Sequence, residues 1–244
     1  FAPFYGSNIS LDSLLTHNHH GRGFLYDLPY ARQEAEYVAS VSDGSLFLND
    51  KAKESVFKNE AIDYNIIHLA MHTFLNDQYP MNSAMIFSQG NDNPDDGLLY
   101  TSEVYGIPLN ADMVVLSSCN TGTGILANGE GILSLARGFL YSGSRSVVMS
   151  MWEIEDKSGT EIISRFYANL KKGNTKSMAL RKSRATYLRN ATQLKSHPYF
   201  WSALVVYGDN SPVYAPVRLI AAIIILFLLS LTALIFYFRK RKYS

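Results

Sequence analysis

A single cysteine, Cys119, in 244 residues excludes an intrachain disulfide and a cysteine-based zinc site. That thiol is left to be structural or reactive. Eight prolines and sixteen glycines are too few for a collagen-like or low-complexity chain. Charge is modest, 22 basic against 21 acidic residues, and no acidic residue follows position 216. Because Arg218, Arg239, Lys240, Arg241 and Lys242 lie beyond that point, the first 216 residues carry 17 basic against 21 acidic. A nucleic-acid surface needs a concentrated basic face, and the only dense basic run, 239–242, adjoins a feature that explains it otherwise. Hydrophobic residues make up 47%, enough to bury a core, and at this length one domain is favoured over two.

Long hydrophobic runs are absent except at the end. Leu219 to Phe238 reads LIAAIIILFLLSLTALIFYF, twenty residues without charge, Pro or Gly, which as a helix spans about 30 Å, the thickness of a bilayer core. Aromatic residues Phe236, Tyr237 and Phe238 followed by RKRK form the interface pattern of a transmembrane helix. With Arg218 alone before the span and four basic residues after it, the tail is expected to be cytoplasmic and the large domain extracytoplasmic. A first residue that is Phe rather than Met reads as a processed or excised C-terminal portion of a longer protein. The expected organisation is a linker over 1–24, a domain over 25–214, a juxtamembrane linker over 215–218, a single-pass span over 219–238 and a basic tail over 239–244.

Between these ends, strands alternate with helices. The segment 28–40 puts Ala31, Ala35, Val38 and Ala39 on one helical face, and SLFLN (45–49) reads as a short strand. KAKESVFKNE (51–60) reads as a helix anchored by Val56 and Phe57. YNIIHLAMH (64–72), ADMVVLSSC (111–119) and SRSVVMSMW (144–152) are apolar enough for strands buried on both faces. SAMIFS (83–88) is another strand candidate, and SEVYGIPL a helical turn broken by Pro108. EGILSLARGFLYSG (130–143) has helical spacing at Ile132, Leu135, Ala136 and Phe139, further helices are expected at about 157–171 and 175–190, and YFWSALVVYG (199–208) closes the sheet. The pattern predicts an α/β fold with a mainly parallel sheet covered on both faces, with ligands at the carboxyl ends of the strands.

Two of the buried strands end in His72 and Cys119, 47 residues apart, close to the roughly 50 that separate the His and Cys of caspases. If the strands are neighbours, both side chains reach one edge, where a thiolate and an imidazole suit covalent acyl transfer. A small hydrophobic Cys and a satisfied core His are the alternatives on spacing alone.

The segments IIHLAMHT (66–73), VVLSSCNTG (114–122), GEGILSLARGFLYSGSRSVVMSMWEIED (129–156), FYANL (166–170) and HPYFWSALVVYG (197–208) resemble the successive blocks of a CHAT domain, and LPYARQEAE (28–36) resembles its opening helix. The resemblance covers roughly residues 25–209. It implies a caspase-like αβα sandwich related to caspases, separases and gingipains, with a His-Cys dyad and no cofactor, and commonly with tetratricopeptide repeats upstream. Carried onto this chain, it implies that Cys119 attacks the scissile carbonyl of a protein or peptide substrate. His72 promotes thiolate formation and protonates the leaving amine. The backbone N–H groups of Thr73 and Cys119 hold the oxyanion. The family usually has Gly directly after the His, and Thr73 departs from this, since a β-branched residue does not adopt the positive φ that Gly tolerates. Ser118, where Ala is common, is a small change. In the wider clan the residue two before the Cys lines the primary specificity pocket, here the neutral Ser117. The loop after the third buried strand carries Glu153, Glu155 and Asp156, any one of which could face a basic side chain, while Asp156 equally suits a helix N-cap and the other two a solvated face.

Other motifs read as structure. HNHH (17–20) suits a loop rather than a metal site, and His68 and His72 lie in a strand context without the Glu of a zinc helix. GTGILANGEG (122–131) lacks the Lys-Ser/Thr of a phosphate loop, and Glu130 is placed to cap the next helix. Three functions follow: a membrane-anchored cysteine endopeptidase, an inactive CHAT pseudo-peptidase serving as a peptide-binding or scaffold module, and a signalling element in which the domain is a sensor. The first is the favoured reading.

Overall fold

The computed structural model of the protein describes residues 1–5, 9–10, 24–25, 27–88, 95–117, 130–215, 229–230 and 232. In chain order these form β1 (Ile9–Ser10), β2 (Phe24–Leu25), α1 (Ala31–Ser42), α2 (Glu54–Glu60), β3 (Ile66–Leu69), β4 (Thr73–Phe74), β5 (Ala84–Ile86), β6 (Leu98–Tyr100), α3 (Thr101–Val104), β7 (Met113–Leu116), α4 (Glu130–Tyr141), β8 (Ser146–Ser150), α5 (Asp156–Lys171), α6 (Lys176–Asn190) and β9 (Leu204–Gly208).

The main sheet has the order β3-β7-β8-β9. Its first two pairings are parallel and the last, β8 with β9, is antiparallel. This is the mixed α/β arrangement with a mainly parallel sheet, consistent with a caspase-like sandwich. Successive residues of β7 point to opposite faces. Val114 and Leu116 pack with Leu135, Ala136 and Phe139 of α4 on one side. Met113 and Val115 pack with Ile162, Ile163 and Phe166 of α5, and with Leu180 of α6, on the other. Both faces being covered, the strands need no polar residues, which is why they are nearly continuous apolar runs. All four positions anticipated for α4 (Ile132, Leu135, Ala136, Phe139) are buried, each large side chain contributing about 1.5–3 kcal/mol. The turn from α4 into β8 requires Gly143, whose φ is +115° and where a Cβ would stand 2.2 Å from the Leu109 carbonyl oxygen.

Several expectations need correction. SLFLN (45–49) is not a strand: Leu48 makes an isolated parallel bridge with Ala2, followed by a 3-10 turn at Asn49–Lys51. Ala39 and Val56 are only half-buried, whereas Glu34 and Glu54 are buried on those helices. A separate antiparallel sheet, β4-β5-β6, stands beside the main one; its strands of two or three residues are too short to carry a readable period. Within the stretch read as a linker, Ala2 and Tyr5 are core residues. The span expected over 219–238 lies outside the described residues apart from Leu229, Ser230 and Thr232, which are helical. Among the described residues no helix is long and apolar enough to cross a membrane.

Candidate functional site

The parallel pair β3 and β7 sets the site. Ile66 stands opposite Met113 and Leu69 opposite Leu116, and the Ser117 N–H donates to the Leu69 carbonyl at 3.0 Å. The two strands therefore give out together at their carboxyl ends, where an α/β sheet presents ligand sites. His72 and Cys119 each lie three positions beyond the last paired residues, Leu69 and Leu116. Cys119 itself lies outside the described residues.

His72 is buried, 5% exposed, in the crossing from β3 to β4. Its N–H donates to the Tyr5 hydroxyl at 3.0 Å, and that hydroxyl donates to the Ile86 carbonyl at 2.6 Å. The His72 carbonyl accepts the Ile86 N–H at 2.9 Å. One rung between His72 and Ile86 is thus direct and the other passes through a phenol. Burial raises the Tyr5 phenol above its ordinary range, so it stays protonated and keeps its donor. The Tyr5 and imidazole rings lie 4.8 Å apart at 50°. Nothing in composition or periodicity points to Tyr5.

Thr73 opens β4, paired with Met85, and is 1% exposed. Among the described residues, the non-glycine positions with positive φ are Asp43 and Asn49. Thr73 is extended, a conformation that suits a β-branched side chain.

Ser117 and Asp156 line one pocket, joined by Glu34, Thr160 and Ser150. Glu153 is exposed on the loop after β8 and is not part of that lining. Glu155, rather than Asp156, is the N-cap residue of α5; its carboxylate holds Lys195 Nζ at 2.8 Å and accepts the Ser158 hydroxyl, and these bonds lower its pKa. Asp156 begins α5 and accepts the Tyr30 N–H at 2.9 Å. Burial raises its carboxyl pKa, opposed by that N–H and reinforced by the Glu34, Asp27 and Glu155 carboxylates. Glu130 is inside the first turn of α4. Asp77 accepts the Gly131 N–H at 2.9 Å and so serves that helix N-terminus instead.

Glu34 is 3% exposed and bonds His68 Nε2 at 3.0 Å, while His68 Nδ1 meets the Tyr167 hydroxyl at 3.2 Å. Burial holds the Tyr167 phenol well above its ordinary range, so it stays protonated. His68 is a core residue in a polar chain of three. Among the described residues no group of three His, Cys, Asp or Glu could hold a metal ion, and the HNHH stretch lies outside them.

The family model for the CHAT domain matches residues 10–209. The chain belongs to the CHAT domain family. CHAT domains form part of the caspase-like cysteine peptidase clan, which has peptidase and inactive members. Among curated proteins, Tetratricopeptide repeat protein 28 of Homo sapiens is 28% identical over 123 residues, 50% of this chain and 5% of that protein. Its counterpart in Mus musculus is 26% identical over 123 residues, with the same shares. The chain thus matches about a twentieth of the length of those relatives.

Proposed function

We propose that this CHAT domain is a caspase-like cysteine endopeptidase that uses a His72–Cys119 dyad. The observation that carries the reading is the register of β3 with β7, which brings the backbones leading to His72 and Cys119 off one sheet edge at one level. In the reaction the Cys119 thiolate adds to the scissile carbonyl carbon, and the backbone N–H groups of Thr73 and Cys119 receive the oxyanion. Collapse breaks the C–N bond, and the proton held by His72 passes to the leaving amine. Water then adds to the thioester, its proton going to His72, and the acid and thiolate are released. Thr73 in place of glycine speaks for the inactive reading, and its extended backbone removes the strain from that objection; the retention of both His72 and Cys119 favours the peptidase.

The proposal extends to the rest of the chain as an anchored, single-pass protein whose domain is extracytoplasmic and whose basic tail is cytoplasmic, supported by the apolar 219–238 run and its charge asymmetry. Tetratricopeptide repeats upstream are supported by the name of the curated relatives. The test is cleavage of a peptide library by the full-length protein. Cys119→Ala and His72→Ala are each expected to abolish it, and unchanged cleavage by Cys119→Ala would end the proposal. A reporter fused after Ser244 that is active only in the cytoplasm is expected to give signal; an extracytoplasmic signal reverses the topology.

A further inference from the structure

Both ends of the stretch that carries Cys119 are tied to the stretch that carries His72. At its start, the Ser117 N–H is bonded to the carbonyl of Leu69, three positions before His72. At its end, where α4 begins, the Gly131 N–H donates to the Asp77 carboxylate at 2.9 Å, and Asp77 lies five positions after His72. The second tie is shaped by its own loop. The chain leaves β4 at Phe74 and turns through Leu75, Asn76 and Asp77 toward a 3-10 turn at Pro80–Asn82. The Ser83 hydroxyl accepts the Asn76 N–H at 2.9 Å, and the Asn76 side chain accepts the Tyr79 N–H at 2.8 Å. So closed, the loop lies directly on the first turn of α4: a Cβ at Gly131 would stand 2.9 Å from Ser83 Oγ, 3.2 Å from the Asn76 nitrogen and 3.2 Å from Leu75 Cβ. Glycine at 131 is what lets loop and helix touch, and the contact sets a carboxylate against a helix N-terminus, whose unpaired N–H groups and dipole favour an anion. One turn further along, the Ser134 hydroxyl donates to the Met81 sulfur at 3.9 Å. The body of α4 is fixed independently, since Leu135, Ala136 and Phe139 pack with Val114 and Leu116 of β7. A helix N-terminus is ordinarily served by a residue just before it. Here an acceptor comes from 54 positions away, in the loop that follows the other candidate catalytic residue.

We propose that Asp77 is a positioning residue of the reaction: by holding the end of the Cys119 stretch to the loop after His72, it sets the distance between thiol and imidazole. It acts through the backbone and not on the reacting atoms. The proposal rests on the peptidase reading for the chemistry, and on the tie between Asp77 and Gly131 for the placement. A misplacement of about 1 Å between reacting groups is worth on the order of 100-fold in rate.

The test reads Cys119 directly, in the full-length protein. Alkylation by iodoacetamide is followed across pH at the Cys119-bearing fragment by mass spectrometry, and an imidazole held beside the thiol sets the midpoint below the ordinary thiol range. Asp77→Ala is expected to move that midpoint up toward the ordinary range. On any cleaved peptide it is expected to lower kcat by about 10- to 100-fold with KM changed by less than about 3-fold, because substrate contacts stay while the reacting groups part. Asp77→Asn keeps an oxygen for the Gly131 N–H and is expected to retain the unsubstituted midpoint. Gly131→Ala presses on the same contact from the helix side and is expected to move the midpoint as Asp77→Ala does; it decides the matter if Asp77→Ala does not fold. All forms are compared at a temperature where their circular dichroism spectra are native. Were Asp77 only a helix cap, Asp77→Ala would lower the melting temperature and leave both midpoint and kcat unchanged, and that result overturns the proposal. A midpoint shift in Asp77→Ala with no cleavage by any form overturns the peptidase reading and leaves Asp77 as the residue that places the thiol beside the imidazole. A midpoint already in the ordinary range in the unsubstituted protein overturns both.

Discussion

The Tyr5 hydroxyl receives the backbone N–H of His72 at 3.0 Å and passes a hydrogen bond on to Ile86. A side chain 67 positions away in sequence thus completes the ladder that fixes the backbone of the candidate base.

Removing that hydroxyl leaves a buried N–H and a buried C=O facing each other without a bridge. Tyr5→Phe is expected to lower the unfolding free energy by about 1–3 kcal/mol, the cost of unsatisfied buried polar groups, as read from urea denaturation. A loss below about 0.5 kcal/mol would mean that the strands close up or solvent takes the place of the phenol.

Thr73 gives a second prediction. Restoring the glycine usual in the family should not help, since Thr73 is already extended and buried. Thr73→Gly is expected to destabilise the protein by about 1–2 kcal/mol through lost packing and greater unfolded-state freedom, with no gain in kcat/KM on any cleaved peptide. A rise in kcat/KM would show that catalysis calls for a positive φ at this position.

Asp156 gives the pH dependence. Its carboxyl holds a proton to higher pH folded than unfolded, because of burial first and the Glu34, Asp27 and Glu155 carboxylates after, with the Tyr30 N–H opposing. Between the two pKa values the native state binds more protons, so this group makes stability fall as pH rises through that window. Asp156→Asn is therefore expected to stabilise the protein at neutral pH, by less than about 1 kcal/mol because the group is half-exposed and screened. The gain should vanish below the ordinary carboxylate range. Thermal melts across pH check this, and a gain that grows toward acid would contradict it.

Elements whose geometry follows from their own residues were legible in sequence. The 3.6-residue spacing of Ile132, Leu135, Ala136 and Phe139 suffices for α4, and the apolar runs of β3, β7 and β8 suffice for strands covered on both faces. Elements that depend on a distant partner were not. Leu48 finds Ala2 rather than a sheet, and β4, β5 and β6 exist through pairing with one another. At the site, the spacing of His72 and Cys119 was legible but the adjacency of their strands was not, since it is supplied by the pairing of β3 with β7, and Tyr5 was hidden in a stretch that reads as linker. Glu34 left one usable signal: it falls on the same helical stripe as Ala31, Ala35 and Val38, where a charged residue is buried only if something receives it.

His72 joins two sheets rather than ending one. Its chain arrives from the edge of the parallel sheet and leaves into the antiparallel one, tied to β5 by its own carbonyl and to the N-terminal segment by its amide. A shift of the three-stranded sheet relative to the four-stranded one would therefore be delivered to the backbone of this residue.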